Sequence, residues 1–285
     1  MMRITQQAGP AGRVRRVAAA TVSLVAATSL AAGCGGDDDA QDTPAASSPT
    51  PSASPSANPK SALLAAVPDE EDPAFRFSGS DPTGVVTGVV DPAGKGMDLT
   101  ITEKDEKLDF TMKMSFRLIE QRSWMKVSFD GAEQLSSLLK LPTKWMELDH
   151  AKLTDPASVP YYEGADPGNT GAILGAAGDT VTDQGGGTFT GTVDLTHGEH
   201  VRQAMADAVD VDALGEAAKA VPFTAVVGAD GNLTSLTLEI PAAGKRKATK
   251  YVVKYFDFGK APKVTEPTGS QAQKAPASAY ELLNG

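Results

Sequence analysis

The chain holds a single cysteine, Cys34, and three histidines among its 285 residues. One thiol excludes any disulfide within the chain, so stability has to come from packing. Aromatic residues are scarce as well, with two Trp, five Tyr and nine Phe making up 6% of the chain. All of them lie at or beyond Phe75, which separates an N-terminal region of a different kind from the part that folds. Hydrophobic residues reach 41%, so a core is available, but it must be largely aliphatic. Catalytic signatures are missing too. No Gly-x-Ser-x-Gly occurs, and Gly94-Lys95, Gly244-Lys245 and Gly259-Lys260 are not followed by Ser or Thr, which removes the nucleophile elbow and the phosphate loop. His197 and His200 stand at His-x-x-His spacing beside Glu199, yet no second cluster of Cys, His or carboxylates accompanies them. They read as a turn entering a helix. Asp210 and Asp212 read as a helix break, and Gly185 to Gly187 as a hairpin tip. The expectation is a chain without catalysis, cofactor or metal.

The N-terminal region carries its own signals. Arg3, Arg13, Arg15 and Arg16 precede Val17 to Gly33, an apolar stretch of 17 residues softened by Thr21, Ser23, Thr28 and Ser29. A membrane span wants about 20 strongly apolar residues, so this is the hydrophobic segment of a secretion signal. It ends in Leu30-Ala31-Ala32-Gly33-Cys34, which resembles a bacterial lipobox. That resemblance implies cleavage after residue 33 and an acylated Cys34 that holds the mature chain on the extracytoplasmic face of the cell membrane. The leader takes four of the 26 basic residues and none of the 36 acidic ones, so its loss moves the formal charge from −10 to −14. Such a surface repels nucleic acid and anionic bilayers, and attachment rests on the lipid. Residues 34–60 contain three consecutive aspartates and a Ser/Thr/Pro run without one large apolar side chain. They cannot bury enough surface to fold and form a tether that reaches roughly 28 Å.

Beyond it the pattern becomes period two. From Lys107 to Leu118, the residues Leu108, Phe110, Met112, Met114, Phe116 and Leu118 share one face and polar residues the other, the signature of a half-buried antiparallel strand. Met97, Leu99 and Ile101 repeat the theme, as do Met125, Val127 and Phe129, and Met146 with Leu148. Later strands are expected over 188–195, 221–227, 233–240 and 248–258, with a hairpin at Asp230-Gly231. Helices are expected around Leu135 to Leu139, within 165–177, and over 199–219 with a break near Asp210. About nine strands at roughly 4.8 Å spacing make a sheet near 43 Å wide, whereas three helices of about 10 Å cover only some 30 Å. The sheet must curl, and a curled sheet under few helices tends to enclose a groove. The expected fold is therefore α+β: a curved antiparallel half-barrel of about nine to eleven strands with a few helices over its concave face. The domain is placed at 61–268, with 269–285 as a polar tail. The expected groove wall is Met97, Leu99, Leu108, Phe110, Met112, Met114, Phe116, Leu118, Met125 and Val127, rich in the adaptable methionine side chain. Lys245-Arg246-Lys247 reads as a solvated hairpin tip.

A set of loose motifs adds to this reading. After the lipobox and tether come Lys144-Trp145-Met146-Glu147-Leu148, Gly187-Thr188-Phe189-Thr190-Gly191, Val193-Asp194, Val221-Pro222-Phe223, Asp230-Gly231-Asn232 and Tyr255-Phe256-Asp257-Phe258-Gly259-Lys260 before Pro267. In that order and spacing the stretch from Phe75 to Pro267 resembles the actinobacterial LppX/LprG-type lipoproteins. The resemblance implies the LolA/LolB-like half-barrel and a lipid held between sheet and helices for transport through the envelope. The expected function is a lipid- or amphiphile-binding lipoprotein. The alternative is a non-enzymatic scaffold or signalling module with a filled core, acting on an envelope protein partner.

Overall fold

The computed structural model describes residues 58–81, 84–105, 108–155, 159–206, 208–244 and 246–284. The expected secretion signal, Cys34 and nearly all of the expected tether lie outside the described residues. Twelve strands form one sheet: β1 (Phe75–Ser80), β2 (Val85–Asp91), β3 (Gly96–Asp105), β4 (Phe110–Ile119), β5 (Arg122–Asp130), β6 (Trp145–Glu147), β7 (Thr182–Gly185), β8 (Thr188–Val193), β9 (Val221–Val227), β10 (Leu233–Ile240), β11 (Thr249–Phe256) and β12 (Ala272–Lys274). Their order is β12-β6-β5-β4-β3-β2-β1-β11-β10-β9-β8-β7. Every pairing is antiparallel except β12 against β6, and the edge strands β12 and β7 do not meet, so the sheet is open. Six short α-helices complete the described α+β fold: α1 (Pro59–Leu64), α2 (Gln134–Leu138), α3 (Thr170–Gly175), α4 (Glu199–Met205), α5 (Val211–Leu214) and α6 (Ala277–Asn284).

Local chemistry explains these boundaries. β1 to β5 form a meander because the connections are tight, and at β9–β10 the turn is made by Gly231 at φ +88° with Gly228 N–H donating to the Asn232 carbonyl at 2.8 Å. The alternating strand expected from Lys107 begins only at Phe110. Asp105 Oδ1 accepts the Leu108 N–H at 3.0 Å and Asp109 sits at φ +50°, so the chain is still turning at Leu108 and Asp109, and Leu108 is 72% exposed. Asp210 breaks the third predicted helix, 199–219, as expected, since its carboxylate accepts the Ala213 N–H at 3.1 Å and caps α5. The 269–285 segment, read as a polar tail, instead supplies β12 and α6, with Ala279, Tyr280 and Leu283 buried. The α2 stripe is also largely unburied: Ala132 is covered, but Leu138 is 74% exposed.

Between β11 and β12 the chain crosses the sheet on its polar face. Val264 N–H donates to Asp91 on β2 at 3.1 Å, and a Cβ added at Gly96 on β3 would lie 2.9 Å from the Val264 Cβ. The Thr265 carbonyl accepts from Arg117 on β4 at 3.2 Å, and Glu266 accepts from Arg122 on β5 at 2.5 Å. Residues 257–271 thus form a strap that touches each strand in turn. Beneath it runs one transverse row, Val89, Asp98, Arg117, Trp124 and Glu147, fixed by the register of β2 to β6. Arg117 pairs with Asp98 and stacks 4.8 Å from the Trp145 ring, and Arg122 stacks 4.6 Å from Trp124. Trp124 is only 1% exposed although it lies outside the main core.

Candidate functional site

The opposite face of the same strands carries the apolar wall, and the register stacks it in rows. Met97 lies beside Leu118 and Ser123; Leu99 beside Phe116, Met125 and Met146; Ile101 beside Met114 and Val127; Met112 beside Phe129. Of the ten residues expected to line a groove, nine fall on these strands, with Phe110 at the start of β4. The tenth, Leu108, does not join the wall because the Asp105 turn directs it to solvent. Met97, Leu99, Met114, Phe116, Leu118, Met125 and Val127 are each less than a tenth exposed, whereas Phe110 and Met112 are half-buried at the rim. Leu63 of α1, Ile173 and Leu174 of α3, and Val201 and Met205 of α4 share one continuous core with them.

The helices are short and individually tied down. Asp166 holds the entry to α3: its carboxylate accepts from Gly171 N–H at 2.8 Å, Thr170 Oγ1 at 3.0 Å and the Tyr255 hydroxyl at 2.5 Å. The Tyr251 hydroxyl donates to the Gly168 carbonyl at 3.3 Å, and Gly168 has to be glycine because a Cβ there would stand 2.7 Å from Val253. Burial first, and the neighbouring Asp166 charge second, push both tyrosine phenols above their ordinary range. At the other end of α3, Lys60 Nζ donates to the carbonyls of Gly175, at 2.9 Å, and Ala177. A cation on those unpaired carbonyls suits the helix C-terminus.

The two ends of the sheet differ. At one end the strap and the arginine row cover β2 to β6. At the other, where β2 begins and β5 ends, lie four of the five large apolar side chains exposed among the described residues: Val85 at 46%, Leu108 at 72%, Leu138 at 74% and Leu139 at 39%. Leu108 precedes Phe110 at the start of β4 and Leu138 and Leu139 follow β5, whereas the register puts Val85 on the polar face beside Thr102 and Lys113.

Two clefts lie elsewhere. One of about 600 Å³ is lined by Lys152, Ala275, Tyr280 and Asn284, and one of about 450 Å³ by Thr234, Lys254, Phe256 and Lys260; neither touches the wall. Sequence reasoning missed the Ser123 Oγ to His150 Nε2 contact at 2.5 Å, since nothing in the spacing of positions 123 and 150 marks a pair. Ser123 is fully buried on the wall face and His150 is half-buried, so the contact satisfies a buried hydroxyl rather than presenting a nucleophile. Among the described residues no group of three or more His, Cys, Asp or Glu could hold a metal, which includes His197 and His200. No described helix is long and apolar enough to cross a membrane. Comparison with protein-family models and with curated proteins finds no match for this chain.

Proposed function

We propose that the chain is a membrane-anchored, extracytoplasmic lipoprotein that takes a lipid or other amphiphile against its methionine-rich wall. In this reading the open sheet is a half-barrel whose concave face is the wall and whose helices cover it. Twelve strands exceed the roughly ten at which twisted open sheets begin to curl, which supports that curvature. The observation that carries the proposal is the register that gathers Met97, Met112, Met114, Met125 and Met146 on one face of β3 to β6, in a core shared with helices of only six or seven residues. Binding is driven by burial, about 0.8 kcal/mol per methylene, and involves no covalent step. The wall is covered in this conformation, so uptake has to displace α1, α3 or α4, and helices of six or seven residues held by a few hydrogen bonds are the elements able to open locally. Attachment to the membrane follows the lipobox-like Leu30 to Cys34 segment, and carriage of lipid through the envelope follows the LppX/LprG-type resemblance.

Native mass spectrometry of protein expressed from residue 58 onward, together with titration by a fluorescent fatty acid, tests this. Co-purified lipid or saturable uptake is expected, and Met112→Trp at the rim is expected to weaken uptake while the circular dichroism spectrum stays the same. Protein that is empty and takes up no probe refutes the carrier. The burial of the wall, with the two clefts lying off it, favours the second reading: a non-enzymatic surface module whose core is simply full.

A further inference from the structure

We propose that α1 is a detachable plug: Leu63 fills a seat in the core that the hydrocarbon end of a bound amphiphile takes over, and Lys60 is the latch that keeps the plug in. This rests on the carrier reading above and names the covering helix that moves aside. Three observations point the same way.

First, α1 can leave without pulling on the sheet. α3 lies between β6 and β7 and α4 between β8 and β9, whereas α1 precedes β1 and joins no two strands. The helix ends at a natural hinge, since Val67 precedes Pro68 and is disfavoured in helical conformation. There the Ala66 carbonyl accepts from Leu233 N–H at 2.7 Å, which keeps the hinge on β10 while the helix swings. Second, the fastening is light. Leu63, 1% exposed, is the one buried residue of α1, against Ile173 and Leu174 in α3 and Val201 and Met205 in α4. α3 is held further by Thr170 and Gly171 donating to the Asp166 carboxylate. Among the described residues the hydrogen bonds from α1 to another element are those from Lys60 Nζ to the carbonyls of Gly175 and Ala177. The bond to Gly175 is exposed, so water can take its place, and an element with so few buried contacts opens before its neighbours do. Third, the seat is apolar and continuous with the wall. α1 reaches from Ala177, which bridges Val193 at the end of β8, to Leu233 at the start of β10. Phe189, Phe223 and Leu236 on these strands are buried with Leu63 in the one core that also holds the wall. An acyl chain that enters in place of Leu63 exchanges one hydrocarbon for another, so the core stays filled and the exposure of Leu63 is offset by burial of methylenes.

The test uses the full chain, produced in a bacterial host and held in phosphatidylcholine vesicles. Leu63→Cys, Leu174→Cys and Met205→Cys, each at a fully buried position, place one thiol under each covering helix. Their labelling by N-ethylmaleimide is followed peptide by peptide, so that Cys34 is scored separately. The thiol at 63 is expected to react several-fold faster than those at 174 and 205. Adding Lys60→Met is expected to speed labelling at 63 several-fold again and to leave the other two rates unchanged, and oleate is expected to speed labelling at 63 alone, to saturation. Equal rates at the three positions, a rate at 63 indifferent to Lys60→Met, or one slowed by oleate overturns the proposal. Should a buried cysteine unfold a variant, amide exchange of residues 60–67 against 171–177 in the unsubstituted chain, with and without oleate, makes the same comparison. Uptake of a fluorescent fatty acid by the unsubstituted chain separates the two claims. Uptake with labelling at 63 unchanged by oleate removes the plug and leaves the carrier, whereas latch-dependent labelling at 63 with neither uptake nor an oleate effect removes the carrier and reduces α1 to a loose helix.

Discussion

Replacing Arg117 by Ala loosens the outer face at its centre, and the cost follows from the contacts it makes. Nε donates to Asp98 Oδ2 at 2.9 Å with Nη2 completing the fork, and the guanidinium stacks 4.8 Å from Trp145. The side chains of Arg117 and Asp98 are 24% and 29% exposed, so the pair is partly shielded but not deeply buried. A forked, charge-assisted bond at such depth is worth about 1.5 to 3 kcal/mol, and the cation–π contact about 0.5 to 1. Shared groups make these less than additive, so the expected loss is about 2 to 3 kcal/mol, or roughly 4 to 12 °C in Tm for a domain of this size. Urea titration followed by tryptophan emission and by circular dichroism measures it, with the m-value unchanged. Lys104→Ala removes only an exposed pair at 3.9 Å with Asp109 and is the control, expected within about 0.5 kcal/mol of the parent. Arg117→Lys keeps the charge and loses the fork, so it should fall between the two. If Arg117→Ala is indistinguishable from Lys104→Ala, the strap is not fastened by this residue and the reasoning fails.

Three other outcomes can be checked. A Cβ at Gly88 would lie 2.4 Å from the Asp98 carbonyl and 2.5 Å from the Phe77 ring; Gly88→Ala should therefore cost about 1 to 3 kcal/mol by chemical denaturation, and a neutral result would show that β3 can shift. Ending the chain after Thr268 removes buried Tyr280 and Leu283 and the partner of β6, so it should lose more than about 3 kcal/mol or fail to fold, whereas a stable truncated protein would restore 269–285 to the status of a tail. Because folding raises the Tyr255 phenol well above 10.0, the folded state keeps a proton that the unfolded chain releases. Stability from this group is thus intact below pH 10 and declines as pH rises beyond it, and Tyr255→Phe should flatten that alkaline slope in equilibrium unfolding; an equal slope in the variant would refute the assignment.

The strands from 221–227 and 233–240 were legible because their apolar residues alternate and Gly231 marks the turn between them. The wall was legible for the same reason, since a period-two pattern says which residues share a face and β3 to β5 keep one register for most of their length. Leu108 was misread because it keeps the alternating phase of Phe110 and Met112, and that phase does not show that Asp105, ahead of the run, holds the Leu108 N–H. The outer row was invisible. Arg117 and Trp124 lie on different strands, and what makes them one feature is the pairing of residues seven apart across a two-residue turn, completed by a segment some 140 positions away. The role of residues 269–285 was hidden similarly, because a three-residue strand such as β12 has no period to detect and exists only through β6.

The strand order has a kinetic meaning. The meander β1 to β6 is bracketed by β11 on one side and β12 on the other, and the segment joining those two runs across its back, so later-made chain clasps earlier-made chain like a belt buckled at both edges. Until the last residues have emerged, β6 presents an unpaired border able to recruit strands from neighbouring molecules. Once the buckle closes, the first six strands have no way to peel off singly, and the molecule must come apart through the loss of both borders together.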